Sequence, residues 1–295
     1  MKQFAFLLMC ACSFLANASY LDYKYEHLPT EHTISSSTLG EERTVWVILP
    51  EGYNAPENSD KQYPVIYTTD GENLQYLTGH NMWFLQRSNM LPEAILVAIN
   101  TRHHRARDLT PTEPKNSPIP VATGQSHQLK AFIKDEVIPF IDNTYRTDDF
   151  RVLSGHSLGG LFTITSLLSE HMQPLFKGYV AIDPSLWWDD GIVAKWVEAA
   201  EDTFDEKAFS VYIVAAHEEN IPPEHQALYL QHITAIDDAA NSLLDTDAIT
   251  IRYDITHDEN HRSVLHVGVF RGLREVFKCY PSVCPKTEGD DSDQD

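Results

Sequence analysis

Phe150-Arg151-Val152-Leu153-Ser154-Gly155-His156-Ser157-Leu158-Gly159-Gly160 is the stretch that decides the architecture of this 295-residue chain. A short apolar run, Phe150 to Leu153, leads into Gly-x-Ser-x-Gly, and a helix-forming run, Leu161 to Ser169, leads out. That pattern between a strand and a helix describes a sharp, strained turn that lifts a serine hydroxyl above the sheet edge. Gly155 and Gly159 are required because side chains there would collide across the turn. The helix that begins after Ser157 aims its free N–H groups at any oxygen reacting beside the serine. Ser157 therefore reads as a nucleophile, and the bland alternative is a glycine-rich turn.

On both sides of this stretch, short apolar runs alternate with longer amphipathic ones. Strands are expected over Thr44–Leu49, Val65–Thr69, Ile95–Ile99, Arg151–Leu153, Tyr179–Ile182, Val211–Ala215 and Ile251–Ile255. Helices are expected over Ser126–Ile141, Leu158–Ser169, Ile192–Ala200, Glu224–Leu244 and Val264–Phe277. Such alternation calls for an α/β fold, a mostly parallel central sheet with helices on both faces. Active sites of such sheets lie at the carboxyl ends of the strands, and Asp70, Ser157, Asp183 and Glu219 all fall just past strand ends. Two stretches are irregular. Thr101 to Gly124 holds Pro111, Pro114, Pro118 and Pro120, and is long enough to be a functional loop. Asp183-Pro184-Ser185-Leu186-Trp187-Trp188 follows the strand after the elbow helix.

The chain's ends read differently from its body. Met1-Lys2, an apolar run from Phe4 to Leu15, and Ala16-Asn17-Ala18 have the arrangement of a cleaved export signal over residues 1–18. The apolar run is short for a membrane span, so no stable membrane insertion is expected. Lipid anchoring at Cys10 or Cys12 is the weaker alternative. Cleavage near Ala18 implies a periplasmic or secreted protein and leaves Cys279 and Cys284, two near neighbours expected to form one disulfide rather than stay as free thiols. No Cys/His spacing resembles a zinc site, and no metal is expected. The net charge of −21 makes nucleic acid and anionic membranes poor partners. Part of that charge lies in the tail from residue 287 to 295, which has no apolar residue and is expected to be disordered. Residues 19–286 remain as one domain, with no repeat or linker to divide it.

A serine nucleophile needs a base, an acid to orient it, and donors for the developing oxyanion. In sheets carrying this elbow the order along the chain is nucleophile, acid, histidine. His261, in the polar turn Glu259 to Val264 before the last helix, is the favoured base, ahead of His257 and His266. His156 sits beside the nucleophile and is read as a packing residue. The acid should follow the strand Val211–Ala215, which favours Glu219; Glu218, Asp183 and Asp258 are the alternatives, as is a dyad without a carboxylate. The N–H of Leu158 is one oxyanion donor by position. The second is placed in the loop Thr69 to Asn73, at Gly71 or Glu72, unless Asp70-Gly71 is only a turn.

Several of these stretches together resemble the esterase family of α/β hydrolases, which includes feruloyl esterases, S-formylglutathione hydrolase-like esterases and, most closely, bacterial siderophore (trilactone) esterases. The matching stretches are Tyr63-Pro64-Val65-Ile66-Tyr67 into Asp70-Gly71, Asn100-Thr101 with Arg105 to Pro111, Gly155 to Gly160, Pro184 to Trp188, and Glu259-x-His261-x-Ser263-Val264. They extend from about Glu31 to Phe277. The resemblance implies an α/β-hydrolase fold, Ser157 as nucleophile and His261 as base, without metal or organic cofactor. It also implies that Arg105, Arg107 and Asp108 shape the substrate pocket and that Trp187 and Trp188 wall it. Related chains often carry serine where Asp183 stands, and glycine where the strand here ends in Ala215-Ala216-His217. The implied activity is hydrolysis of small-molecule carboxylic esters through an acyl-enzyme, with siderophore esters as the narrower branch; Arg102, Arg105 and Arg107 could meet the charge of such a chelate. Acyl transfer to an alcohol on the same fold, or a binding protein that kept the fold, are the competing expectations.

Overall fold

The computed structural model describes residues 28–115, 117, 120–200, 204, 209–218, 221–246, 249–278 and 280–282. The expected signal at 1–18, the acidic tail at 287–295, the favoured acid Glu219 and both Cys279 and Cys284 lie outside the described residues.

Eight strands form one sheet: β1 (Thr30–Ser36), β2 (Glu41–Ile48), β3 (Tyr63–Thr68), β4 (Ile95–Ile99), β5 (Thr147–His156), β6 (Gly178–Ile182), β7 (Phe209–Ala216) and β8 (Ile249–Thr256). Their order across the sheet is β1-β2-β4-β3-β5-β6-β7-β8. β2 runs antiparallel to β1 and β4, and every other pairing is parallel. The helices are α1 (Gly71–Arg87), α2 (Arg105–Leu109), α3 (Ser126–Phe132), α4 (Ile138–Thr144), α5 (Leu158–Leu167), α6 (Trp188–Ala199), α7 (Gln226–Leu244) and α8 (Val264–Val276). A π-helical turn, Ile133–Val137, joins α3 to α4.

The central strands are buried on both faces, so they read as nearly continuous apolar runs. Alternate residues serve opposite faces: Tyr179 and Ala181 belong to the core beneath α5, α6 and α7, while Val180 and Ile182 belong to the core beneath α1 and α8. α8 lies unusually close to the sheet. A Cβ on Gly272 would stand 2.4 Å from Val180, and one on Gly268 would stand 2.6 Å from Ile182. That close seating fixes the turn immediately before α8, which carries His261.

Three elements differ from expectation. The segment after β3 is not a loop through Asn73: α1 starts at Gly71, because Leu74, Met82 and Leu85 form a buried helical stripe that its polar residues and glycines dilute in the sequence. β1 is an edge strand whose residues are mostly exposed, so burial imposed no apolar alternation on it. The proline-rich segment also contains α2 near its start.

Candidate active site

Ser157 stands between β5 and α5 with φ 60° and ψ −120°, a backbone shape that costs a non-glycine residue about 1–3 kcal/mol. The surroundings enforce it. A Cβ on Gly155 would fall 2.2 Å from the Gly159 carbonyl oxygen, and one on Gly159 would fall 2.4 Å from Thr69 Oγ1. The Ser157 N–H donates to the Ile182 carbonyl at 3.0 Å, and the Ser185 N–H donates to the Ser157 carbonyl at 3.1 Å. The hydroxyls of Ser157 and Ser185 lie 3.3 Å apart.

The two expected oxyanion segments meet here. Gly71 lies flat on β4, where a Cβ would come 2.5 Å from the Ala98 carbonyl carbon. The Asp70 N–H donates to Thr101 Oγ1 at 3.2 Å, and that hydroxyl donates back to Asp70 Oδ1 at 2.8 Å. Arg105 grips both Asp70 oxygens, Nε to Oδ1 at 2.7 Å and a terminal nitrogen to Oδ2 at 2.9 Å, and also donates to the His156 carbonyl at 3.3 Å. Arg105 thus bolts the start of α1 to the elbow. The first N–H groups of α1 and α5, including those of Gly71 and Leu158, have no partner within their own helices. Burial, with the Asp70 charge adding to it, raises the carboxyl of neighbouring Glu72 above its usual range.

His261 lies on the turn between β8 and α8, with its side chain 46% exposed. Its Nδ1 is 2.5 Å from Asp183 Oδ2, its N–H donates to Glu218 Oε1 at 3.0 Å, and its carbonyl accepts from His156 Nε2 at 2.6 Å. Asp183 follows β6 with φ 40°, and its own N–H donates to the Val214 carbonyl at 2.7 Å. Its Oδ1 accepts from the Ala216 N–H at 3.0 Å and from His232 Nε2 at 3.2 Å. Burial alone would raise this carboxyl, but hydrogen bonds from His232, His261 and the Ala216 N–H outweigh it and hold the carboxyl well below the usual range. Burial, reinforced by neighbouring His261, lowers His156 to about 4, so His156 is neutral at pH 7.

Of the candidates for the base, His257 is exposed with its ring 4.9 Å from that of His217, and His266 is exposed on α8. Of the acids, Asp183 is the described carboxylate that touches a His261 ring nitrogen; Glu218 holds the backbone instead, and Asp258 is exposed. Arg107 and Asp108 belong to a different structure. Asp108 is 1% exposed, with Arg43 on Oδ2 and Arg107 on Oδ1, each at 2.7 Å. Both arginines also meet Glu41, so this pair braces the frame rather than presenting free charge to a ligand. Trp188 is fully buried and its Nε1–H donates to Thr112 Oγ1 at 3.1 Å, tying down the proline-rich loop, whereas Trp187 is half-buried. Arg102 is exposed.

Sequence reasoning missed His232 and Ser185, and treated His156 only as packing. His232 carried a legible signal: it lies three and four residues before buried Ala235 and Ile236, a polar residue on the apolar stripe of α7. Asp183, His232 and His261 also form a cluster whose donor atoms all lie within 4.8 Å, a set able in principle to close on a cation. Hydrogen bonding from two imidazoles to one carboxylate accounts for that closeness.

Residues 36–245 match the protein family described as "Putative esterase". The siderophore triacetylfusarinine C esterase of Aspergillus fumigatus is 24% identical over 270 residues, covering 82% of this chain and 91% of that protein. The ferri-bacillibactin esterase BesA of Bacillus subtilis is 25% identical over 280 residues, covering 86% and 91%. Among solved structures, an IroE-like serine hydrolase from Shewanella oneidensis superposes with a TM-score of 0.73 at 29% identity, covering 85% of this chain and 80% of that one. Among the described residues no helix is long and apolar enough to cross a membrane. With the family match covering well over half the chain, and the sheet and elbow in agreement, the protein belongs to this esterase family: it is a carboxylic ester hydrolase with an α/β-hydrolase fold.

Proposed function

We propose that Ser157, His261 and Asp183 form the catalytic triad of an esterase acting on siderophore-type esters. The observation that carries the triad is the 2.5 Å contact between His261 Nδ1 and the buried Asp183 carboxylate, on the same sheet edge as the strained serine. Ser157 Oγ attacks the ester carbonyl carbon while His261 Nε2 takes its proton. The oxyanion rests on the N–H of Leu158 and on that of Gly71 or Glu72. Collapse breaks the carbonyl–alkoxide bond, the alcohol leaves with the proton held by His261, and the acyl group stays on Ser157. Water then attacks with His261 again as base, and the acid is released. Asp183 keeps the imidazole in one tautomer and stabilises its charged form.

The siderophore branch is supported by two relatives that bear that activity in their names and align over most of this chain. Half-buried Trp187, two residues beyond Ser185, is the side chain proposed to flank the bound ester. The N-terminal charge, apolar run and Ala16-Asn17-Ala18 support export, tested by sequencing the N-terminus of the protein recovered outside the cytoplasm. For the reaction, the test is turnover of a p-nitrophenyl ester and of a trilactone siderophore by wild type and Ser157→Ala. The variant should fall by about 10⁴-fold or more on both substrates. Equal rates would overturn the mechanism; turnover of the aryl ester alone would overturn the substrate.

A further inference from the structure

His232 lies on the far side of Asp183 from the reacting serine, on α7, and no step of the ester chemistry uses it. Yet the Asp183 carboxylate is divided between two imidazoles. Oδ2 faces His261, while Oδ1 takes His232 Nε2 and the Ala216 N–H. An ionised carboxylate only accepts, so His232 Nε2 must carry a proton. Its Nδ1 is then left as a buried atom with no hydrogen-bond partner among the described residues. The side chain is 12% exposed and Asp183 is 2% exposed, so both contacts lie largely out of solvent. A nitrogen left unpartnered on one edge, with the other edge on the acid, marks a ring whose place is set by Asp183.

We infer that His232 is a positioning residue for the esterase reaction, acting on the base through the acid. Two consequences follow from the geometry, both resting on the triad assignment above. The first is orientation: with Oδ1 pinned by two donors, the carboxylate cannot turn, and Oδ2 stays aimed at His261. The second is tuning. A donor on Oδ1 draws charge away from the carboxylate and moderates how strongly Oδ2 favours the imidazolium form of His261. Removing that donor leaves a more basic carboxylate and a His261 that protonates at higher pH.

Other titratable groups face this centre and must be held constant. His156 on β5 approaches His261 ring to ring at 4.6 Å, and Glu218 after β7 holds the His261 N–H. Tyr229 on α7 accepts from the Glu218 N–H, and Tyr253 on β8 is hydrogen-bonded to Asp237 on α7. Arg105 reaches the His156 carbonyl from α2. None of these groups donates to Asp183, so a variant at His232 leaves their contacts in place.

The experiment compares pH profiles of kcat/KM for a neutral p-nitrophenyl ester in wild type, His232→Leu and His232→Gln. Leu removes the donor, whereas Gln can return an N–H to Oδ1. His232→Leu should lose about tenfold in kcat with KM little changed, and its acid limb should move to higher pH. His232→Gln should recover most of both. In an Asp183→Asn background, His232→Leu should add almost nothing, because its route to His261 is already broken. A wild-type acid limb and rate in His232→Leu would overturn the inference. So would equal damage from Leu and Gln in variants with native circular dichroism, or full additivity with Asp183→Asn. Loss of wild-type activity on chelation, restored by zinc, would also overturn it, since His232 would then be a ligand. Ser157→Ala separates the two levels: a dead Ser157→Ala beside an unaffected His232→Leu leaves the triad standing and removes His232 alone.

Discussion

Asp183 and Asp108 are the same residue type at the same depth, each 1% exposed, and they do different things. Asp108 lies between two guanidiniums, Arg43 and Arg107, with Glu41 closing the network. Asp183 lies between two imidazoles, His261 and His232, with one backbone N–H. Guanidinium is permanently charged, so the Asp108 network has one protonation state across the working pH range. Imidazole is the side-chain type ordinarily suited to passing protons, so the partners of Asp183 fit a different task from those of Asp108. Burial alone therefore does not mark a functional carboxylate. The chemistry of its partners does, and it separates a guanidinium-held brace from the imidazole-held carboxylate of the proposed triad.

The largest expected effect breaks the proposed triad and spares the brace. Asp183→Asn should reduce kcat by roughly 10³–10⁴-fold, because His261 loses the anion that orients it and stabilises its charged form. Its unfolding midpoint should move less than that of Asp108→Asn, since both imidazoles can remain neutral beside an amide. Steady-state kinetics with a soluble aryl ester, alongside urea denaturation, measures both. Asp108→Asn should show the reverse pattern. It leaves Arg43, itself 5% exposed, with Glu41 as its remaining carboxylate, and removing one partner of a buried pair typically costs about 3–5 kcal/mol. Its kcat at a temperature where it stays folded should remain within a few-fold of wild type. If Asp108→Asn loses activity as steeply as Asp183→Asn, the distinction between the two carboxylates is wrong.

Sequence alone exposed half of this contrast. Gly155 to Gly160 announced the strained turn at Ser157, because such a turn leaves a compositional mark: glycines must stand where side chains would collide. The central strands were legible because burial on both faces demands continuous apolar residues. The proposed base, His261, was legible from its place in a polar turn before the last helix. The carboxylate it touches was not. Several carboxylates follow strand ends, and the expectation that the acid follows the strand Val211–Ala215 favoured Glu219 over Asp183. What brings Asp183 to His261 is a positive φ at one residue and the stagger of β6 against β7, neither of which has a residue-type signature. Arg107 and Asp108 stood in a motif shared with esterases, yet Arg43, the partner that turns them into a brace, lies 65 residues from Asp108. α1 was hidden by its glycines, and β1 by its exposure.

The smallest effect concerns a residue that touches the proposed triad without belonging to it. His156 donates from Nε2 to the His261 carbonyl, so it holds His261 by its backbone rather than by its ring. Its ionisation is lowered to about 4, first by burial and then by the nearby His261. Unfolded, the same imidazole titrates at about 6.5. The folded protein therefore prefers the neutral ring, and the unfolded chain binds the extra proton first as pH falls. Stability supplied by neutral His156 is complete above about pH 6.5 and is lost progressively as pH falls to about 4. The loss over that interval should be about 3 kcal/mol, at the lower end of the cost expected for removing the Asp108 charge beside Arg43. His156→Gln keeps an amide donor and cannot titrate, so its urea midpoint should fall less than that of wild type between pH 7 and pH 4.5. The comparison must use differences between variants, because the Glu41 carboxyl, drawn down to about 2 by Arg107 and Arg43 against the opposing pull of burial, loses stability in both proteins at lower pH. Parallel falls in the two proteins would mean that His156 is charged in the folded state. The ring 4.6 Å from that of His261 would then carry charge below neutrality, and the opposition of a fixed brace and a two-histidine cluster would have to be redrawn.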